Sequence, residues 1–264
     1  MRRSLLVVGL MLFLTGCFDI EQNIVLQKDL SGTADFHLGV DMEPMITVMA
    51  QMGREMEGKK GPISAAELAK AKADFKKSMT EKKSTEKPPS LADMNKDLPK
   101  GIKVLDFKAT EKEFGVATDI KFGFDKLQHL VDVKMPKKEE AGGGGGDPTQ
   151  KNIIDSPFEG LQVVEKGDTI TISTKPTNPA EKVNEQEKEA GAPKMDPATD
   201  KLIKDAFSKM KVVYKVTAPF TIVSHNATRK EGNTLIWEYD LKKFEEMSKA
   251  KKLDDMGVKV VYKK

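Results

Sequence analysis

Residues 114–124 read FGVATDIKFGF. Phe114, Val116, Thr118, Ile120, Phe122 and Phe124 fall on one side of an extended chain, with Gly115, Ala117, Asp119, Lys121 and Gly123 on the other. Side chains of a strand point alternately to its two faces, so this pattern describes a strand with one apolar, buried face. Residues 102–107 hold another apolar run and are expected to pair with it across the polar turn near Glu111.

The same period of two recurs on both sides. Ile20, Gln22, Ile24 and Leu26 share one face, and Ala34, Phe36, Leu38 and Val40 share the next, across the turn residues Lys28-Asp29-Leu30-Ser31-Gly32. His37 falls on the wet face with Thr33, Asp35 and Asp41. Leu161 and Val163 face Ile170 and Ile172 across Lys166-Gly167-Asp168. Val212, Tyr214 and Val216 form a further strand, and Phe220, Ile222 and Val223 follow Pro219. A turn at Glu231-Gly232-Asn233 leads into Leu235, Trp237, Tyr239 and Leu241, whose shared face is expected to meet the core. Val258, Val260 and Tyr262 complete the strands.

Helices interrupt these hairpins. Pro44 suits a first helical position, and Met45, Met49, Met52 and Met56 then recur at helical spacing beside Ile46 and Val48. Ser64 and Glu67 form a capping box, with Ile63 placed to pack on Leu68. Leu68, Ala71, Phe75 and Met79 make the stripe of that second helix, and a polar loop over residues 82–89 ends it. A short helix from Asp125 would turn Leu127, Leu130 and Val131 inward. Another begins at Asp196-Pro197 with Leu202, Ile203, Ala206, Phe207 and Met210 inward, and a last surrounds Phe244 and Met247. Hairpins mixed with helices, without regular alternation of strand and helix, predict an α+β fold. Its antiparallel β-hairpins would form a sheet packed with several amphipathic helices, in a single domain over residues 17–264. Flexible insertions are expected near residues 136–150, which include five consecutive glycines, and 176–195, which are charged and poor in large apolar residues.

The first sixteen residues have the layout of a secretory signal. Arg2 and Arg3 precede an apolar run over residues 5–14, too short to span a bilayer, and Leu14-Thr15-Gly16-Cys17 closes it. That ending resembles a lipobox, where bacteria acylate a cysteine and cleave before it. Cys17 is the only cysteine in the chain, and it stands at this place. Residues 1–16 are therefore read as a removed signal peptide and Cys17 as the lipidation site. One acyl chain binds a membrane marginally and two or three hold firmly, each buried methylene contributing about 0.8 kcal/mol. Phe18, not aspartate, follows the cysteine. By resemblance to enterobacterial sorting, this favours the periplasmic face of the outer membrane over the inner membrane.

The chain carries 44 basic and 41 acidic side chains. Removal of Arg2 and Arg3 leaves 42 basic groups against the same 41, a balance that gives no electrostatic case for nucleic acid. His37, His129 and His225 lack the spacing of a metal site, no Gly-x-Ser-x-Gly elbow occurs, and the glycine run lacks the Lys-Ser/Thr of a phosphate loop. The expectation is a protein without catalytic residues, metal or cofactor. The methionine run has two readings. Met45, Met49, Met52 and Met56 fill gaps under a sheet, or they line an apolar groove that opens for an acyl chain or membrane partner, since methionine adapts to varied surfaces.

Two stretches carry a family resemblance. One is Cys17 with its strand, the turn Lys28-Asp29-Leu30-Ser31-Gly32 and the second strand. The other is Ala218-Pro219-Phe220-Thr221-Ile222-Val223-Ser224-His225-Asn226-Ala227, followed by Asn233-Thr234-Leu235-Ile236-Trp237-Glu238-Tyr239-Asp240-Leu241. Together they resemble the LppM-like envelope lipoproteins. The resemblance implies an α+β domain at the envelope that binds a lipid or glycolipid, and it offers no catalytic residues. The expected partners are thus the membrane, through lipidated Cys17, and a lipid or an envelope protein. A non-catalytic binding module is the first expectation, and a structural or assembly lipoprotein is its alternative.

Overall fold

A computed structural model describes residues 17–81, 90–96, 98–133, 158, 160–174, 197–250 and 256–264. The expected signal segment 1–16, the expected loop at 82–89, Asp196 with its expected capping role, and both expected insertions lie outside the described residues. Strands β1 (Cys17–Leu26) and β2 (Gly32–Asp41) form the first hairpin, paired from Cys17 with Asp41 to Leu26 with Gly32. Helices α1 (Glu43–Met56), α2 (Ala65–Glu81) and the short α3 (Leu91–Met94) follow. Then come β3 (Ile102–Lys112), β4 (Gly115–Phe124) and a 3-10 helix (Leu127–Asp132). The rest comprises β5 (Leu161–Lys166), β6 (Thr169–Thr174), α4 (Pro197–Phe207), β7 (Lys211–Thr217), β8 (Thr221–His225), β9 (Arg229–Glu231), β10 (Thr234–Asp240), α5 (Leu241–Lys249) and β11 (Lys259–Lys263).

The strands form two sheets, not the one expected. Seven run in the order β3-β4-β2-β1-β7-β10-β9, and four in the order β5-β6-β11-β8. The larger sheet is mixed, because β1 and β7 pair in parallel, Asp19 beside Lys211 through Val25 beside Thr217. A parallel pair needs a long crossover, so nothing in the local hairpin pattern announces it. The alternating residues of the sequence make the core. Ile24, Phe36, Ile120, Phe122, Val216, Leu235 and Trp237 from the larger sheet pack in one cluster with Ile170, Ile172, Val260 and Tyr262 from the smaller. Phe122 and Phe158 meet edge to face at 5.7 Å.

Two local expectations are corrected. The turn after β4 is a 3-10 helix, with three residues per turn. It therefore buries Leu127, Leu130 and Val133, and leaves Val131 41% exposed. Leu241 does not extend the Trp237 strand but opens α5. Helices α1 and α4 form a separate small cluster built on Met45, Val48 and Ala206, with Met52, Leu202 and Ile203 against it. The outer edge of β3 is closed locally. The Asn95 side chain donates to the Val104 carbonyl (3.1 Å) and accepts from its N–H (2.8 Å), beside a bulge between Val104 and Asp106. Satisfied edge groups of this kind discourage pairing with another chain.

Candidate functional site

Cys17 is the first residue of β1, and β1 is the central strand of the seven. Its backbone already pairs with Asp41 of β2, and Asp41 in turn pairs with Gly115 of β4. The same end of the sheet carries Lys112 of β3, Lys211 of β7 and Asp240 of β10. At this end the β3–β4 turn meets α2. Lys72 lies 5.8 Å from the Phe114 ring centre and pairs with Glu43 at 2.5 Å, and Lys76 reaches Glu113 at 3.2 Å.

The four methionines of α1 do not act as one surface. Met45 is fully buried and Met52 packs partly against the helical cluster, whereas Met49 is 44% and Met56 61% exposed. Burial follows the side of the helix that carries Val48 and Gln51, and Met49 and Met56 lie at its margin, so methionine spacing alone did not set burial. Gln51, unremarkable in the sequence, is the buried polar residue that fixes the helix in place. Its amide donates to Gly61 O at 3.2 Å and to Glu55, and its oxygen accepts from Ile63 N–H at 2.8 Å. Thr199 of α4, also buried, hydrogen-bonds Glu55. Glu55 is four residues from Gln51 on the same helix, but Gly61, Ile63 and Thr199 lie too far along the chain for a local motif to show them.

The wet face of the larger sheet holds His37. Its Nδ1 lies 2.6 Å from Asp119, its Nε2 lies 4.0 Å from Asp19, and Gly39 leaves room beside the ring. Glu21 pairs with Lys215 at 2.7 Å and Asp35 with Lys121 at 3.3 Å on the same face. These exposed cross-strand pairs contribute little individually. Among the described residues, no three His, Cys, Asp or Glu side chains converge in a way that could hold a metal.

A surface hollow of about 410 Å³ opens at the opposite end of the molecule from Cys17. Lys28, Asp29, Leu30, Lys126, Gln128, Glu165 and Lys264 line it. Lys264 pairs with Glu165 at 2.5 Å, and that pairing, with a hydrogen bond from Gln128, holds the Glu165 carboxyl below its ordinary value. Hydrogen bonds from the Ser31 hydroxyl and N–H do the same for Asp29. Leu30 sits in the left-handed region at φ 66° with its side chain buried. The hollow is charged and open, and its lining does not describe an acyl-chain pocket. Between the sheets, a depression of about 10 Å³ lies beside Gln22, Tyr214 and Thr174.

Trp237 is fully buried, as its alternation predicts. Its Nε1–H donates to Asn226 Oδ1 at 2.6 Å; that oxygen also accepts from Lys259 N–H at 2.8 Å, and the Asn226 amide donates to Gly257 O at 3.0 Å. Asn226 thereby ties β8, β10 and β11 together. Among the described residues, no helix is long and apolar enough to cross a membrane, a statement that does not bear on β-barrels.

No protein-family model matches the chain, and no curated protein matches it. Among solved structures, it is similar to the NMR structure of the folded domain of LppM from Mycobacterium tuberculosis. The TM-score is 0.40 and the identity 11%, with 93% of this chain and 88% of that chain covered.

Proposed function

We propose that this chain is a membrane-anchored bacterial lipoprotein whose domain is a non-catalytic binding module for a lipid or another envelope component. The observation that carries the reading is the lipobox-like Leu14-Thr15-Gly16-Cys17, which ends on the chain's only cysteine. The domain's central strand starts at that same residue. Acylation would thus fix the folded unit to a membrane with no helix crossing it, and the periplasmic face of the outer membrane is the favoured site. Growth of the producing bacterium with an alkyne fatty acid tests the anchor. Wild type should take up label and run as the shortened form, and Cys17→Ser should stay unlabelled and full length. A labelled, shortened Cys17→Ser protein contradicts the reading. Native mass spectrometry of wild type from its own envelope should show a bound envelope component, and its absence at every extraction condition contradicts the binding role.

The second reading is an assembly lipoprotein that binds a protein partner. It is favoured by the well-filled interior between the sheets, together with exposed Met49, Met56, Val164 and Val223 on the outside. Crosslinking in intact cells separates the two, since the second requires a protein adduct at these side chains.

A further inference from the structure

The inner face of the seven-stranded sheet is not evenly covered. Midway along, Ile24, Phe36 and Ile120 are buried. Nearer Cys17, Ile20 and Leu38 are only half-buried. In the last inward row Phe18 and Val40 are half-buried and Val116 is 39% exposed. The register sets these last three side by side, Phe18 opposite Val40 on β2 and Val40 opposite Val116 on β4. The next pairs outward are Cys17 with Asp41 and Asp41 with Gly115. This incompletely covered apolar row therefore lies one residue from the lipobox cysteine.

We propose that this apolar apron, formed by Phe18, Ile20, Leu38, Val40 and Val116, is the surface on which the domain rests against the bilayer that holds Cys17. The inference rests on the anchoring proposed above. Acylated Cys17 would be the first residue of the mature chain, and its backbone is already part of the sheet. No linker then separates the lipid from the folded unit, and the apron is held at the level of the headgroups. Partly exposed phenylalanine, leucine and valine side chains are better placed at the boundary of headgroups and acyl chains than in water. The charges around the apron are of both signs, with Lys112 and Lys211 near Asp41, Glu113 and Asp240. The contact is therefore apolar rather than electrostatic, and salt should not disrupt it. A ten-residue strand at about 3.3 Å per residue places the Lys28 end roughly 30 Å away. The charged hollow at that end then faces the aqueous compartment.

The chain's own sulfur would be consumed by lipid, so one added cysteine is the only free thiol. Full-length Val116→Cys, Lys28→Cys and Val223→Cys proteins, purified from membranes, are labelled with a fluorophore and placed in phosphatidylethanolamine–phosphatidylglycerol vesicles containing nitroxide lipid. Val223 is an exposed valine of the four-stranded sheet, so it controls for apolar exposure alone. The label at 116 should be quenched several-fold more than those at 28 and 223, equally at low and high salt. Equal quenching at the three positions, or stronger quenching at 28 or 223, in protein carrying acyl mass on Cys17 overturns the apron and leaves the anchor standing. Protein without that acyl mass overturns both.

Discussion

Trp237 shows what one residue needs beyond an apolar neighbourhood. Its ring is buried, but its N–H must find an acceptor there, and Asn226 supplies it. Trp237→Ala should cost about 3–5 kcal/mol, as truncation of large core aromatics does. Asn226→Ala should cost about 1–3 kcal/mol by leaving the indole N–H buried without its acceptor. Denaturant unfolding measures both by far-UV circular dichroism, and tryptophan fluorescence reports the Asn226 variant. Unchanged midpoints in either variant would contradict these roles. Burial of Trp237 was legible in the alternation of Leu235, Trp237 and Tyr239. The Asn226 clamp was not, because its other partners, Gly257 and Lys259, lie more than thirty residues along the chain. The hydroxyl chemistry was equally hidden. Burial pushes the Tyr214 phenol up to about 12 and raises that of Tyr262, whose hydroxyl has no partner among the described residues.

At the scale of elements, the capping box read from Ser64 and Glu67 is formed. Glu67 accepts from the Ser64 N–H at 3.0 Å and hydroxyl at 2.8 Å, and the Glu67 N–H donates to Ser64 Oγ at 3.3 Å. These bonds, with Arg54 behind them, lower the Glu67 carboxyl from 4.5 to about 2. A depressed carboxyl stabilises the start of α2 fully above its ordinary pKa, and the contribution is lost as pH falls from about 4.5 toward 2. The amide resonances of Ser64 and Glu67 should shift through that window in wild type, and Glu67→Gln should abolish the transition. A wild-type midpoint near the ordinary value would contradict the cap. The β2–β4 pairing makes a second demand. A Cβ on Gly115 would lie 2.0 Å from Val40 O, so Gly115→Ala should cost about 1–3 kcal/mol through forced displacement. Thermal unfolding at the wild-type temperature would contradict that. Hairpins were legible because their period of two is local. The 3-10 turn was not, since residues 127, 130 and 131 fit an α-helix as well as 127, 130 and 133 fit the tighter one.

On the scale of the molecule, the sequence pattern supports α+β but leaves the number of sheets open. Alternation marks which face of each strand is apolar without saying which strand lies beside it. Thus the distant β1 and β7 meet in parallel, and β8 and β11 join β5 and β6 in a second sheet. The methionine run was legible as a helix, but its division into buried Met45 and exposed Met49 and Met56 depends on which side of α1 its neighbours cover. The sequence marks Cys17 as the expected anchor and places Val40 in an apolar alternation, but Phe18 lies outside the alternation read from Ile20 onward. The incomplete cover of their row was not legible, because that depends on how far the four-stranded sheet extends. A lipid-fixed sheet end is the central claim for the whole protein, and the mass of the amino-terminal peptide from the native membrane tests it most directly. The expected result is a peptide beginning at Cys17 and carrying two or three acyl chains. A peptide that begins upstream of Cys17, or that begins there with an unmodified thiol, would contradict it.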